Sequence, residues 1–173
     1  MKNKKTILII AIIAVLVVAV GLFALLNSGN LQEKQQSQKN AAVKIVQGEK
    51  TVEFNLNYLK GLEKTVFNAT VDTSKAGPEE KSFTGVALAA VLKDKGISLD
   101  GAQEVTFTAA DGYASVVTAK EAAEDKNVYL VYERGGKPSG TKAEGGSGPI
   151  EVVVAKDPFS QRWCKFLMQI EVK

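Results

Sequence analysis

Apolar and polar positions divide the chain into three regimes. Ile7 to Leu26 is apolar throughout except for Gly21, and no charge falls between Thr6 and Gln32. Twenty such residues at about 1.5 Å rise match the roughly 30 Å hydrocarbon core of a bilayer. Asn27 to Ala42 then carries Gln, Asn, Lys and Ser with no apolar period. Such a stretch buries too little surface to offset its ordering entropy, so it reads as a tether. From Val43 onward, short apolar runs alternate with turn residues, which predicts one domain to Lys173.

Within that domain the pattern predicts short strands and short helices. Val43–Ile45 and Val52–Phe54 read as strands around a turn at Gln47–Lys50. Asn55 is placed to cap a short helix carrying Leu56, Leu59 and Leu62. Thr65 to Val71 alternates and is rich in β-branched residues, which predicts a strand. Thr84 precedes a helix whose Leu88, Val91 and Leu92 share a face, with Lys93 and Lys95 at its C-terminal end and Gly96 to close it. Val105, Phe107 and Ala109 alternate up to Asp111-Gly112, a hairpin signature leading into Tyr113–Val117. Thr118 and Glu121 have the spacing of a capping box, opening a helix through Ala123. Val128–Tyr132, Ile150–Val154 and Phe166–Val172 complete the strands, and Gly135 to Gly148 reads as a mobile loop. Strands and helices without strict βαβ alternation point to an α+β fold.

Charge and composition sharpen the N-terminal reading. Lys2, Lys4 and Lys5 precede the apolar run, which favours a cytoplasmic N-terminus and export of the chain beyond the run. The expected organisation is a basic segment over 1–5, a transmembrane anchor over 6–26, a linker over 27–42 and an extracytoplasmic domain over 43–173. A cleaved secretory signal is the competing reading, but its apolar region usually spans only about 7–15 residues. The formal charge of +3 is carried entirely by those three lysines. The remainder is balanced, which gives no clustered basic face for nucleic acid.

The chain has one cysteine, Cys164, and no histidine. An internal disulfide is excluded, as are Ser-His-Asp and Cys-His catalysis, and no metal is expected from the usual zinc ligand sets. Without a histidine to activate it, Cys164 reads as a packed thiol.

Three motifs carry candidate chemistry, each beside a plainer reading. Asp111-Gly112-Tyr113 can present a carboxylate and a phenol to a ligand, or can be only a hairpin turn. Gly145-Gly146-Ser147-Gly148-Pro149 can form a nest of N–H groups for a phosphate, or a flexible loop before a strand. It lacks the spacing of a P-loop. Arg162-Trp163-Cys164-Lys165 offers two cations for a phosphate and an aromatic wall, or an ordinary charged strand entry.

Taken in order, Thr84-Gly85-Val86-Ala87-Leu88, the strand ending at Asp111-Gly112-Tyr113, Tyr132-Glu133, Gly148-Pro149-Ile150 and the segment from Phe159 to Ile170-Glu171-Val172 resemble the oxidoreductase molybdopterin-binding domain of sulfite oxidase-like proteins. The resemblance implies that family's mixed β-sheet with short peripheral helices, and a molybdopterin or pterin-like cofactor with a phosphate tail. It places cofactor contacts at Asp111, Tyr113, Gly148, Arg162, Trp163 and Lys165, with the phosphate falling to Arg162 and Lys165. It also implies a metal-ligating thiolate between the Thr65–Val71 strand and the Thr84 helix, where this chain reads Asn68 to Pro78 without a cysteine. Hydroxyl and carboxylate are harder ligands than thiolate.

These observations favour a membrane-anchored binding module for a pterin-like or other small ligand, or a partner of a membrane redox protein. An interaction domain with a filled pocket and a molybdopterin-dependent oxidoreductase with altered ligation are the alternatives.

Overall fold

The computed structural model describes residues 10, 12–22, 42–73 and 76–173. The chain divides into two units, Met1–Ser37 and Gln38–Lys173. In the first, helix α1 is described over 12–22, and it exposes apolar side chains such as Val15 and Val17. Among the described residues no helix is long and apolar enough to cross a membrane. The anchor expected over 6–26 runs beyond the described stretch at both ends, and the tether lies outside it up to residue 41.

The second unit contains two five-stranded sheets. One has the order β2-β1-β10-β5-β6, built from β1 (Val43–Gln47), β2 (Lys50–Phe54), β5 (Glu104–Ala109), β6 (Ala114–Thr118) and β10 (Leu167–Val172). Only the β1–β10 pair is parallel, with Ile45 opposite Ile170. The other sheet runs β3-β4-β7-β8, with β9 also paired to β7. Its strands are β3 (Thr65–Thr73), β4 (Ala76–Ala87), β7 (Val128–Arg134), β8 (Lys137–Pro138) and β9 (Glu151–Val154). Three short helices, α2 (Leu56–Lys60), α3 (Leu88–Asp94) and α4 (Ala119–Ala123), complete the α+β architecture.

Burial matches the sequence pattern. β5 alternates buried with half-buried positions and β6 buried with exposed ones, so each turns one face inward. The continuous apolar run of β7 and the Val152–Val154 run of β9 are buried, as expected of strands covered on both faces. Phe83, Phe107, Leu130, Val152 and Ile170 from both sheets belong to one core cluster, which Leu59, Leu88 and Leu92 join from the helices. The predicted caps form: Asn55 Oδ1 accepts from Tyr58 N at 3.0 Å, and Thr118 and Glu121 exchange both bonds of a capping box.

Two expectations are corrected. The segment before Thr84 is a strand, β4, whose Phe83 lies opposite Phe67 of β3. The helix begins only at Leu88, with Ala87 as its N-cap. Gly135 to Gly148 is not a featureless loop: it contains β8 and a 3₁₀ turn at Lys142–Glu144, and Ser139, Thr141 and Ser147 are buried.

Arg162, at the end of the 3₁₀ turn Ser160–Arg162, ties that turn to α4. Its Nε donates to Asp157 Oδ2 at 2.9 Å, and its Nη2 donates to Glu121 Oε1 at 2.8 Å and to Asp157 Oδ1. The Arg162 guanidinium, followed by the Thr118 backbone, holds the Glu121 carboxyl down at about 2, against an ordinary 4.5. A lowered folded-state value gives stability that is present above about 4.5 and lost as pH falls toward about 2. Arg162→Ala is therefore expected to destabilise the neutral-pH fold and to flatten that acid limb. Urea unfolding between pH 2 and 6 measures both effects.

Candidate functional site

The two strands on one side of β7 leave a gap between them. β8 pairs with the C-terminal end of β7 and β9 with its N-terminal half, so residues 139–150 form an excursion from that edge. Backbone bonds pin the excursion. Ser147 N donates to Ser139 O at 2.9 Å, Gly148 N to Gly140 O at 2.8 Å and Phe166 N to Ser147 O at 2.7 Å. Thr141 and Glu144 cap the small turn inside it, with Thr141 N donating to Glu144 Oε2 at 2.7 Å. Gly146 packs against the backbone of Ser139 and Gly140 with no room for a Cβ. Gly148 has φ +96°, and a Cβ there would lie 2.8 Å from Phe166 Cα. The glycine cluster thus serves close backbone approach.

At the return of this excursion stands Glu151, with no solvent exposure. Arg134 Nη2 donates to both its carboxylate oxygens, at 3.1 and 3.0 Å. Burial pushes the Glu151 carboxyl up, and Arg134, Ser147 and Lys165 oppose that effect. Arg134 also lies over the Phe83 ring at 5.3 Å, and Phe83 meets Trp163 edge-on. Arg134 Nε and Ser139 Oγ are buried without a hydrogen-bond partner.

Two hollows share Arg134 and Lys165 in their walls. One, of about 190 Å³, adds Pro138, Ser139, Ser147 and the backbone of Gly145 and Gly146. The other, of about 280 Å³, adds Val71, Asp72, Ser160, Gln161 and Trp163. Lys165, the Glu151-paired Arg134 and the Ser139, Ser147 and Ser160 hydroxyls bring donors to these hollows, and Asp72 brings a carboxylate to the second.

The sequence-predicted residues divide around this cleft. Lys165 lines both hollows and Trp163 walls one, with its indole N–H donating to Val154 O at 3.2 Å. Gly148 shapes the loop. The expectation that Arg162 joins Lys165 on a phosphate meets a guanidinium already held by Asp157 and Glu121. Arg162 lines neither hollow. Asp111 accepts from Tyr113 N at 3.1 Å within the hairpin turn, and the Tyr113 hydroxyl donates to Gln161 O. Neither lines the cleft. Sequence reasoning missed Arg134, Glu151 and Ser139. The legible signal was Glu151 itself, a lone charge inside the apolar run Ile150–Val154.

The donors lining the hollows suit a phosphate group, whereas no thiolate lines them that could ligate molybdenum. The stretch where the resemblance expects a thiolate does reach the cleft, but it offers Val71 and Asp72 there. Cys164 is fully buried and lines neither hollow, and burial, followed by Asp111, pushes its thiol up to about 12. Among the described residues no cluster of three His, Cys, Asp or Glu side chains converges as a metal site.

The profile of the oxidoreductase molybdopterin binding domain family matches residues 31–173, and the chain belongs to that family. The fold is similar to the crystal structure of the sulfane dehydrogenase SoxCD from Paracoccus pantotrophus. The TM-score is 0.63 at 18% identity, over 79% of this chain and 39% of that one. The chain thus spans about two fifths of that relative's length. No curated protein matches the sequence.

Arg134→Ala strands the buried Glu151 charge and is expected to cost about 3–5 kcal/mol of stability. Glu151→Gln costs less, because the Arg134 side chain is 27% exposed and reaches water. Since the folded-state Glu151 value is raised, its contribution is complete below the unfolded carboxyl value and is lost as pH rises through the folded one. Glu151→Gln should remove that downward slope in urea-melt stability above about pH 4.3.

Proposed function

We propose that this domain is a binding module that retains a phosphate-bearing, pterin-type ligand in the Arg134–Lys165 cleft and does not turn it over. One observation carries the reading: Lys165 and the Glu151-paired Arg134 line the cleft, while the chain's single thiol is buried outside it with its pKa pushed up to about 12. A thiolate is the metal-ligating form, and burial withholds it here. Trp163 supplies a flat wall beside the cations, suited to a fused ring. The interaction-domain alternative needs a pocket plugged by side chains. Phe159, the nearest free aromatic in sequence, remains 54% exposed, and the cleft is open.

The setting in this reading is the outer face of a membrane. The apolar run with Lys2, Lys4 and Lys5 ahead of it supports a single-pass anchor with its N-terminus in the cytoplasm. A module held there is placed to serve a membrane redox protein, in keeping with the oxidoreductase family to which the domain belongs.

The test is mass analysis of small molecules released from the full chain purified with its export machinery intact, together with metal analysis. The wild type should retain a pterin phosphate with molybdenum far below stoichiometry. Lys165→Ala, at an exposed position, should fold normally and lower retention roughly ten-fold or more, the scale of one charge-assisted hydrogen bond of about 1.5–3 kcal/mol. Molybdenum at one atom per chain overturns the non-catalytic reading, and the absence of any pterin overturns the ligand class.

A further inference from the structure

We infer that Asp72 makes the hollow walled by Trp163 selective for an oxyanion that keeps a proton, so that it takes a phosphate monoester and turns away a sulfate. The inference rests on the cleft reading above and deepens it, by saying which acidic group the ligand carries. Every residue it needs lines one hollow, of about 280 Å³: Asp72, Arg134 and Lys165 as charges, with Ser160, Gln161 and Trp163 beside them. The charges are not equally committed. Arg134 donates from Nη2 to both oxygens of Glu151, at 3.1 and 3.0 Å, so its charge reaches the hollow already partly neutralised. Lys165 is exposed and acts on Glu151 electrostatically, yet it has no ion-pair partner among the described residues.

The Asp72 carboxylate likewise has no hydrogen-bond or ion-pair partner among the described residues. Its main chain is fixed instead. Ser160 Oγ donates to Asp72 O at 2.6 Å, which ties the end of β3 to the 3₁₀ turn at Ser160–Arg162. Val71 and Asp72, neighbours that a regular strand sends to opposite faces, both line the hollow where β3 shifts register against β4. Asp72 and Lys165 thus line one hollow without pairing, and a ligand there meets an acceptor as well as donors. An anion with acceptor atoms alone satisfies Lys165 but is set against Asp72, and like charges so opposed cost several kcal/mol. A phosphate monoester below its second pKa of about 6 carries one P–O–H. That proton turns the contact with Asp72 from repulsion into a charge-assisted hydrogen bond, while the remaining oxygens accept from Lys165. A sulfate ester has no O–H to offer, and neither has an ionised phosphodiester.

Phenyl phosphate and phenyl sulfate test this, since they share a ring and differ in that proton. Titration of the full chain in detergent at about pH 5.5, below the second phosphate pKa of about 6, should show the phosphate ester binding at least about ten-fold more tightly. Asp72→Asn, which keeps the side chain's shape and adds a donor, should raise the affinity for phenyl sulfate and bring the ratio to about two-fold or less. Lys165→Ala should weaken both esters and leave the preference for phosphate in place. Equal affinities of the wild type for the two esters, or a preference that survives Asp72→Asn, overturn the selection by Asp72 and leave the cleft reading standing. Failure of both esters to bind the folded wild type overturns the cleft reading itself.

Discussion

A carboxylate with no access to water sits where the chain rejoins the central strand β7, and the site is organised around that constraint. Burying an ion costs several kcal/mol even after relaxation, and only a well-placed partner offsets it. For Glu151 the partner is Arg134, which donates to both oxygens from a single nitrogen. The arrangement leaves Nε without a partner, and Arg134 lines both hollows. A hydrophobic pair of similar volume would hold β7 and β9 together about as well. What it would not do is hold a cation at a fixed point in the wall of the cleft. The pair therefore makes better sense as a positioning device than as a source of stability.

Contacts radiating from that pair fix the rest of the cleft. Arg134 stacks on Phe83, Phe83 meets Trp163 at 85°, and Trp163 hydrogen-bonds Val154 on β9. β4, β7, β9 and the 3₁₀ turn at Ser160–Arg162 are thus locked around one guanidinium. The loop 139–150 is pinned separately, through glycines that permit backbone contact where any side chain would collide. Rigid elements on one side and a pinned loop on the other give the preorganisation that ligand binding needs.

Local signals were legible in the sequence where one residue type has one physical job. Asn55 caps, Thr118 and Glu121 form their box, and Asp111-Gly112 turns the β5–β6 hairpin, because each depends only on near neighbours. β4 was hidden because Glu79, Glu80 and Lys81 are polar in succession and owe their conformation to pairing with β3. The Gly135–Gly148 segment looked loose by composition, yet its glycines are used for close packing. Arg162 was a reasonable cation to nominate, but Asp157 and Glu121, at 5 and 41 residues' separation, hold it. A partner 41 residues away leaves no local pattern. The order of motifs, by contrast, was enough for the family, because a shared fold keeps the succession of elements better than any one contact.

That difference governs what the family can say about chemistry. A scaffold passes on its sheets, its loop geometry and the places where charge can stand, whereas a metal reaction depends on a ligand at one position. Here the positions for charge are filled by Arg134 and Lys165, and Val71 and Asp72 line the part of the cleft where a thiolate would be sought. The one thiol of the chain lies in the core opposite Val152, its backbone bridged to that strand, in surroundings that keep its proton on. Moving it to the cleft would require breaking the Val152–Cys164 bridge. The backbone pairing that joins β9 to the C-terminal segment is thus what holds the cysteine in the core and out of the cleft.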